Sequence, residues 1–154
     1  MHNAAGQRAS VRAIIVRSAA EATAALKAVG GQPVLLLSAP GAAGVLGPAG
    51  WRALVAAAES ACPGAPFEDA LCCGDAPGQA LAALRAGCRL LVLDGDCPAY
   101  PRIAAAAEEV GATLLPARPP AFDLHGLDLT KPGGRTRLAQ WLTALPHDRA
   151  AGTG

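Results

Sequence analysis

Cysteine, aspartate and histidine side chains follow the apolar segments of this 154-residue chain and are its main candidates for chemistry. Cys72 and Asp94 are candidate catalytic residues. Thiolates and imidazoles are zinc ligands, so Cys73, Cys97 and His125 are candidate metal ligands. The alternative is that the cysteines are small residues that only fill buried space. Adjacent residues of a strand point to opposite faces, so Cys72 and Cys73 are not expected to serve one site easily.

Two aspartates bracket a glycine in the motif Asp94-Gly95-Asp96, directly after an apolar run. Carboxylates in this position are suited to a ligand hydroxyl or to a metal ion. The alternative is a structural role, because aspartate is common in turns and at helix N-caps. The same alternative applies to Asp75, which precedes Pro77 and is predicted to cap the helix that begins there.

A glycine-rich loop and a group of basic residues are candidate anion-binding features. The backbone N–H groups around Gly41 are able to face a phosphate, which makes Gly41 a candidate ligand-binding residue for a small phosphorylated metabolite. The loop matches no phosphate- or dinucleotide-binding fingerprint, and a plain flexible loop is the alternative. The basic residues form a cluster that comprises Arg118, Lys131, Arg135 and Arg137. This basic cluster is a candidate anion-binding site, and a solvated surface is the alternative.

Short apolar runs alternate with alanine-rich stretches, which predicts alternating strands and helices. The predicted strands cover 11–17, 34–38, 66–72, 89–93 and 112–115. The predicted helices cover 19–30, 48–61, 77–86, 100–110 and 135–145. Ser18 and Glu21 form a capping box for the first helix. Segment 118–134 is predicted to be irregular, with a short extended piece in AFDLHGLDL. The alternation predicts an α/β fold with about five parallel strands.

The composition argues against several classes of partner and indicates the cellular compartment. The net charge is +1 and aromatic residues make up 3% of the chain, which argues against nucleic-acid binding. The uncharged stretch 28–51 contains three prolines, so we expect a strand and a loop there and no membrane span. The first ten residues lack a signal-peptide core, and five cysteines without an export signal predict free thiols in the cytoplasm. We expect a disordered tail over 1–10, one α/β domain over 11–145 and a second tail over 146–154.

Three ordered segments carry a family resemblance: PVLLLSAPGA at 33–42, GPAGWRALVAAA at 47–58 and ALCCGDAPGQALAALRAGCRLLVLDGD at 70–96. Together they resemble the class II fructose-bisphosphate aldolases, and the similarity covers roughly residues 11–117. The resemblance implies a TIM-type barrel with its site at the carboxyl ends of the strands. A complete barrel needs about 250 residues, so this chain has room for a partial barrel of about five units. An open flavodoxin-like sheet is the alternative.

The departures from the family are as informative as the match. The family's catalytic acid/base aspartate and a metal-binding histidine correspond to Cys72 and Cys73, and a further histidine of the same motif corresponds to Ala70. From the length of the chain, we expect the strands that supply the remaining metal and phosphate groups to be absent. The resemblance retains Gly74 and Gly95, which join Gly41 and Asp94 as candidate ligand-binding residues.

These observations predict an aldolase-like protein without aldolase chemistry, acting as a binding, regulatory or assembly module. The alternative is a divergent lyase-like enzyme that uses Cys72 or Cys73 as a nucleophile or a metal ligand. No cofactor is expected, with zinc as the alternative. A partial barrel leaves strand edges unpaired, so we expect a homo-oligomer. The last helix is suited to cover such an edge, or else packs within its own chain; its apolar residues are Leu138, Trp141, Leu142 and Leu145.

Overall fold

The computed structural model of the chain describes residues 11–144. The predicted tails over 1–10 and 146–154, and Leu145, lie outside these residues. The strands are β1 (Arg12–Ile15), β2 (Val34–Leu37), β3 (Phe67–Cys72), β4 (Leu90–Val92), β5 (Thr113–Leu115) and β6 (Ala121–Asp123). The helices are α1 (Ala19–Ala28), α2 (Ala42–Val45), α3 (Gly47–Ala61), α4 (Pro77–Arg85), α5 (Tyr100–Glu109) and α6 (Pro132–Thr143).

Local sequence accounts for several of these boundaries. The Ser18 hydroxyl accepts a hydrogen bond from the Glu21 N–H at 3.0 Å, which confirms the predicted cap of α1. Pro48 and Pro77 lie in the first turns of α3 and α4, where a missing N–H costs no helical hydrogen bond. Asp75 was predicted to be the N-cap of α4, and this prediction is wrong. Ala76 holds that position, without a side-chain hydrogen bond to the helix.

Within residues 11–144, six strands form one all-parallel sheet in the order β5-β4-β3-β2-β1-β6. This is one strand more than the five predicted, and the additional strand β6 lies in the AFDLHGLDL segment. Strands β1 to β5 follow one another in chain order. The sheet is consistent with the open-sheet alternative, although its strand order differs from the order 2-1-3-4-5 of a flavodoxin-like sheet.

The chain divides into two compact units, of which unit 1 comprises the described parts of Met1–Leu36, Ala57–Glu68 and Pro119–Gly154. Its strand β1 pairs with β6, and Arg17, two residues after β1, forms an ion pair with Asp123, the last residue of β6. Helix α6 packs on the same unit through Leu138, Trp141 and Leu142, which are all buried. For these three residues the structure bears out packing within one chain, and self-association stays a prediction.

Unit 2 comprises Leu37–Ala56 and Asp69–Arg118 and holds most of the candidate site residues. In the shared register of its strands, Cys72 pairs with Val92, and Val92 pairs with Leu115. Trp51 is fully buried, and its indole N–H donates to the Asp69 carboxylate at 3.0 Å. The carboxyl ends of β3, β4 and β5 therefore lie side by side in unit 2.

All five cysteines are free thiols, as predicted. Among residues 11–144, no helix has both the length and the apolar character needed to cross a membrane.

Candidate functional site

A pocket of about 260 Å³ opens in unit 2 where strands β3, β4 and β5 end. It combines a thiol, a carboxylate and a guanidinium with small apolar groups. Its lining residues are Cys72, Gly74, Val92, Asp94, Pro116, Ala117 and Arg118. The position agrees with the general rule that ligands of parallel α/β sheets bind beyond the carboxyl ends of the strands.

Ser38 organises the base of this pocket, although the sequence did not single it out. It is 1% exposed and is the buried polar residue of the described chain. Its N–H donates to the Ala70 carbonyl at 3.0 Å, which joins the end of β2 to β3. Its hydroxyl accepts from the Cys72 N–H at 2.8 Å and donates to the Ala39 carbonyl at 3.2 Å. The backbone that carries the Cys72 thiol is therefore fixed by a fully bonded side chain.

Arg118 brings a positive charge to the same place. Its Nη1 donates to the Ser38 carbonyl at 2.9 Å, and its positive charge stabilises negative charge on the Cys72 sulfur. The other members of the predicted basic cluster have different partners. Arg135 donates to the Leu129 and Thr130 carbonyls, and the Arg137 guanidinium lies 6.0 Å from the centre of the Phe122 ring. Of these three arginines, Arg118 is the one that lines the pocket.

The environment of Cys72 favours its thiolate. Burial opposes ionisation and is the largest single influence. It is outweighed by the backbone N–H groups of Gly41 and Gly74 and by the Arg118 guanidinium, which all stabilise negative charge on the sulfur. The pKa of Cys72 therefore lies below its usual value of 9.0. A cysteine in such an electropositive setting is a better nucleophile at neutral pH than an ordinary thiol.

Gly41 and Gly74 are held close together around this thiol. Both adopt left-handed backbone conformations, with φ of 66° and 58°, which glycine reaches without steric cost. A Cβ atom on Gly74 would lie 4.0 Å from the Gly41 Cα, so the two turns are neighbours. These two predicted ligand-binding residues are thus brought together with Cys72.

Asp94 and Gly95 have different surroundings. The exposed Asp94 lines the pocket, and its N–H donates to the Gly74 carbonyl at 2.8 Å. Its carboxylate also accepts from the Asp96 N–H at 2.9 Å, which is the turn-forming role expected as the alternative. Gly95 is not among the lining residues. Its N–H donates to the Pro116 carbonyl at 2.9 Å, and a Cβ there would lie 2.9 Å from the Pro116 Cβ. Close backbone approach explains this glycine.

The three candidate metal ligands have separate environments. The buried Cys73 thiol donates a weak hydrogen bond to the Leu71 carbonyl, and burial raises the pKa of Cys73 to about 12. Cys97 is half-buried after the turn at Asp94, where its N–H donates to the Asp94 carbonyl. His125 belongs to unit 1, and its backbone N–H donates to the Asp123 carboxylate. Within the described residues, no three or more His, Cys, Asp or Glu side chains are grouped to hold a metal ion.

The sequence indicated Cys72 and, as part of the basic cluster, Arg118, but it gave no prediction for Ser38. The only signal for Ser38 in the sequence is a polar residue closing the apolar run VLLLS. Arg118 was grouped with later basic residues, although it lies only three residues after the end of β5 and therefore belongs with the strand ends. The comparisons with known proteins add no relative: no protein-family model matches this chain, and no curated protein matches it either.

Proposed function

We propose that this chain is a binding protein for a small anionic, phosphate-bearing metabolite, held in the pocket at the ends of β3, β4 and β5. The observation that carries the proposal is the convergence of Arg118 and Gly74, which both line the pocket, with the N–H group of Gly41, which lies beside Gly74. Oriented backbone N–H groups next to a guanidinium are a recurrent arrangement for binding phosphate oxygens.

The size of the pocket limits the ligand. Its volume of about 260 Å³ corresponds to roughly nine water molecules at about 30 Å³ each. Pockets for drug-sized ligands span about 300–1,000 Å³, so this pocket suits a smaller molecule. A three-carbon phosphate ester fits this range, with its phosphate towards Arg118 and its hydroxyls towards Asp94.

An anionic ligand competes with the Cys72 thiolate for the same positive groups. The bound anion therefore raises the pKa of Cys72, and by linkage the neutral thiol binds the anion more tightly. We expect the affinity for phosphate esters to increase as pH falls through the pKa of Cys72. Near pH 6 the phosphate group itself takes up a proton and loses charge, so the increase in affinity should stop at about that pH.

The proposal excludes the metal-dependent aldol chemistry of the family that the chain resembles. Cys73 corresponds to a metal-binding histidine of that family, and burial raises the pKa of Cys73 to about 12, which supports a neutral buried thiol at this position. We also propose that the strands form part of a βα barrel, supported by the chain order of β1 to β5. The free thiols support a cytoplasmic location.

Calorimetric titration with inorganic phosphate and with glycerol 3-phosphate tests the binding proposal. We expect Arg118→Gln to weaken binding at least about tenfold, since charged hydrogen bonds contribute about 1.5–3 kcal/mol. Arg102→Gln is the matched control, because it removes the same charge from an exposed position on α5. Absent binding by the unaltered protein at millimolar ligand, or equal losses in the two variants, would contradict the proposal.

Two further measurements address the remaining predictions. Metal-dependent cleavage of a phosphoketose by the purified protein, lost in Cys73→Ala, would show that the chain is an enzyme of the ancestral kind. A light-scattering mass equal to the monomer mass of 15.3 kDa would contradict self-association.

A further inference from the structure

We propose that Cys72 is a site of reversible oxidation, at which a small peroxide converts the thiolate to a sulfenic acid inside the pocket. The proposal stands independently of the anionic ligand, because it requires only the sulfur, its neighbours and access for a small oxidant.

Access is the first requirement, and the pocket provides it selectively. Cys72 lines the cavity but is only 3% exposed, so a bulky disulfide or protein oxidant cannot reach its sulfur. Hydrogen peroxide is little larger than water, and the cavity holds several molecules of that size. The oxidant class that fits is therefore a small peroxide.

Activation of the sulfur is the second requirement. The thiolate, and not the thiol, attacks a peroxide, and Arg118 with the N–H groups of Gly41 and Gly74 lowers the pKa of Cys72 against the effect of burial. The adjacent Cys73 provides an internal contrast. It is equally inaccessible at 3% exposure, but burial raises its pKa to about 12, so it stays a thiol.

The reaction balances without any other cofactor. The Cys72 sulfur attacks one peroxide oxygen, the S–O bond forms, the O–O bond breaks, and hydroxide leaves to take a proton from solvent. The sulfur loses two electrons and the peroxide gains them. Negative charge develops on the departing oxygen, and the Arg118 guanidinium is placed to stabilise it, as donors of this kind do in many active sites.

The surroundings also determine the fate of the oxidised sulfur. Cys73, directly after β3, donates its thiol to the Leu71 carbonyl. Neighbouring residues of an extended backbone point to opposite faces, so a disulfide between Cys72 and Cys73 is not expected. Recovery therefore depends on a small external thiol. Its sulfur attacks the sulfenic sulfur and releases water, and a second thiol then exchanges with the mixed disulfide to restore Cys72. The N–H groups of Gly41 and Gly74 stabilise the sulfenic oxygen in the meantime.

Trapping with a 1,3-diketone that reacts with sulfenic acids tests the proposal on the full chain. After brief exposure to hydrogen peroxide, peptide mapping by mass spectrometry should find the label at Cys72 before the half-buried Cys62 and Cys97. Cys72→Ala should lose this label, and Cys73→Ala, the matched control, should keep it. Arg118→Gln should raise the pKa of Cys72. At a pH below that pKa, each unit of increase reduces the thiolate fraction, and with it the labelling rate, about tenfold.

A pH profile keeps the test decisive if the Arg118 variant fails to fold. In the unaltered protein, labelling of Cys72 should be half-maximal below pH 9.0, the ordinary value for a cysteine. Label confined to Cys62 and Cys97 would overturn the proposal, and so would a Cys72 rate that matches an unstructured cysteine peptide. Because calorimetry with phosphate reads ligand binding separately, either proposal can fail without the other.

Discussion

The Nη1 atom of Arg118 lies 2.9 Å from the carbonyl oxygen of Ser38, a residue 80 positions earlier in the chain. This bond attaches the segment after β5 to the end of β2. The same guanidinium lines the pocket together with Cys72 and lowers the pKa of its thiol. One planar group thus both holds two strand ends together and supplies the charge beside the thiol, so its orientation is set before any ligand arrives.

Replacing Arg118 by lysine should separate charge from geometry. An ammonium lacks the planar fork and cannot reproduce both contacts, so we expect Arg118→Lys to raise the pKa of Cys72 towards 9.0. The measurement is a pH titration of thiolate ultraviolet absorbance, with Cys72→Ala as the reference to subtract. An unchanged pKa in the lysine variant would show that charge alone is sufficient.

Removing the Ser38 hydroxyl should destabilise the protein. In Ser38→Ala the buried Cys72 N–H loses its acceptor, and an unsatisfied buried group costs about 1–3 kcal/mol. The backbone carbonyl that Arg118 uses is retained, so the effect isolates the hydroxyl. Urea unfolding gives the loss directly. Ser60→Ala is the control: Ser60 is exposed on α3, so its change should stay within about 0.5 kcal/mol. Equal effects of the two substitutions would refute this role for Ser38.

Gly95 should not tolerate a side chain, for a reason unrelated to ligands. A Cβ would lie 2.9 Å from the Pro116 Cβ, and overpacking of this kind costs about 1–3 kcal/mol. Gly78→Ala is the contrast, because a Cβ on this helical residue meets nothing within 4 Å. It should leave the free energy of unfolding unchanged or raise it by up to about 1 kcal/mol. Thermal unfolding measures the stability of both variants. A Gly95→Ala variant as stable as the unaltered protein would contradict this prediction.

Alkaline conditions should weaken the fold through Cys73. Its pKa is about 12 in the folded chain and close to 9.0 when unfolded, so the folded state holds its proton more tightly. The resulting stabilisation is fully present below pH 9 and is lost as pH rises from 9 through 12. Cys73→Ala should therefore show a smaller decline in the free energy of unfolding between pH 8 and 11. Parallel declines in the two proteins would exclude Cys73 as the cause.

Much of the fold could be predicted from local patterns. Helix α3 and strand β3 lie within one residue of their predicted bounds, because proline and glycine punctuate the chain beside clear apolar runs. Strand β6 was visible only as an extended piece in an irregular segment. It is three residues long and pairs with β1, the most distant strand in the sequence, so local pattern carried little of the information.

The site was predictable in its elements and not in its contacts. Strand ends and small loops indicated Cys72, Gly41 and Gly74, which the structure brings together. The role of Arg118 depends on a hydrogen bond across 80 residues, which no local motif encodes. Gly95 was predicted as a ligand residue, yet the structure gives it a steric reason that depends on the path of Pro116.

The pairing of β1 with β6 has a consequence for how the protein is made. Arg17, just after β1, can form its ion pair only after Asp123, which is 106 residues later in the chain, has been synthesised. At a synthesis rate of roughly 5–20 residues per second, the first strand spends roughly 5–20 s on the ribosome before this partner is made. An unpaired strand edge is a template for pairing with other chains. The newborn chain is therefore most vulnerable to aggregation in the interval before β6 emerges, and unit 1, which contains β6, is completed after unit 2.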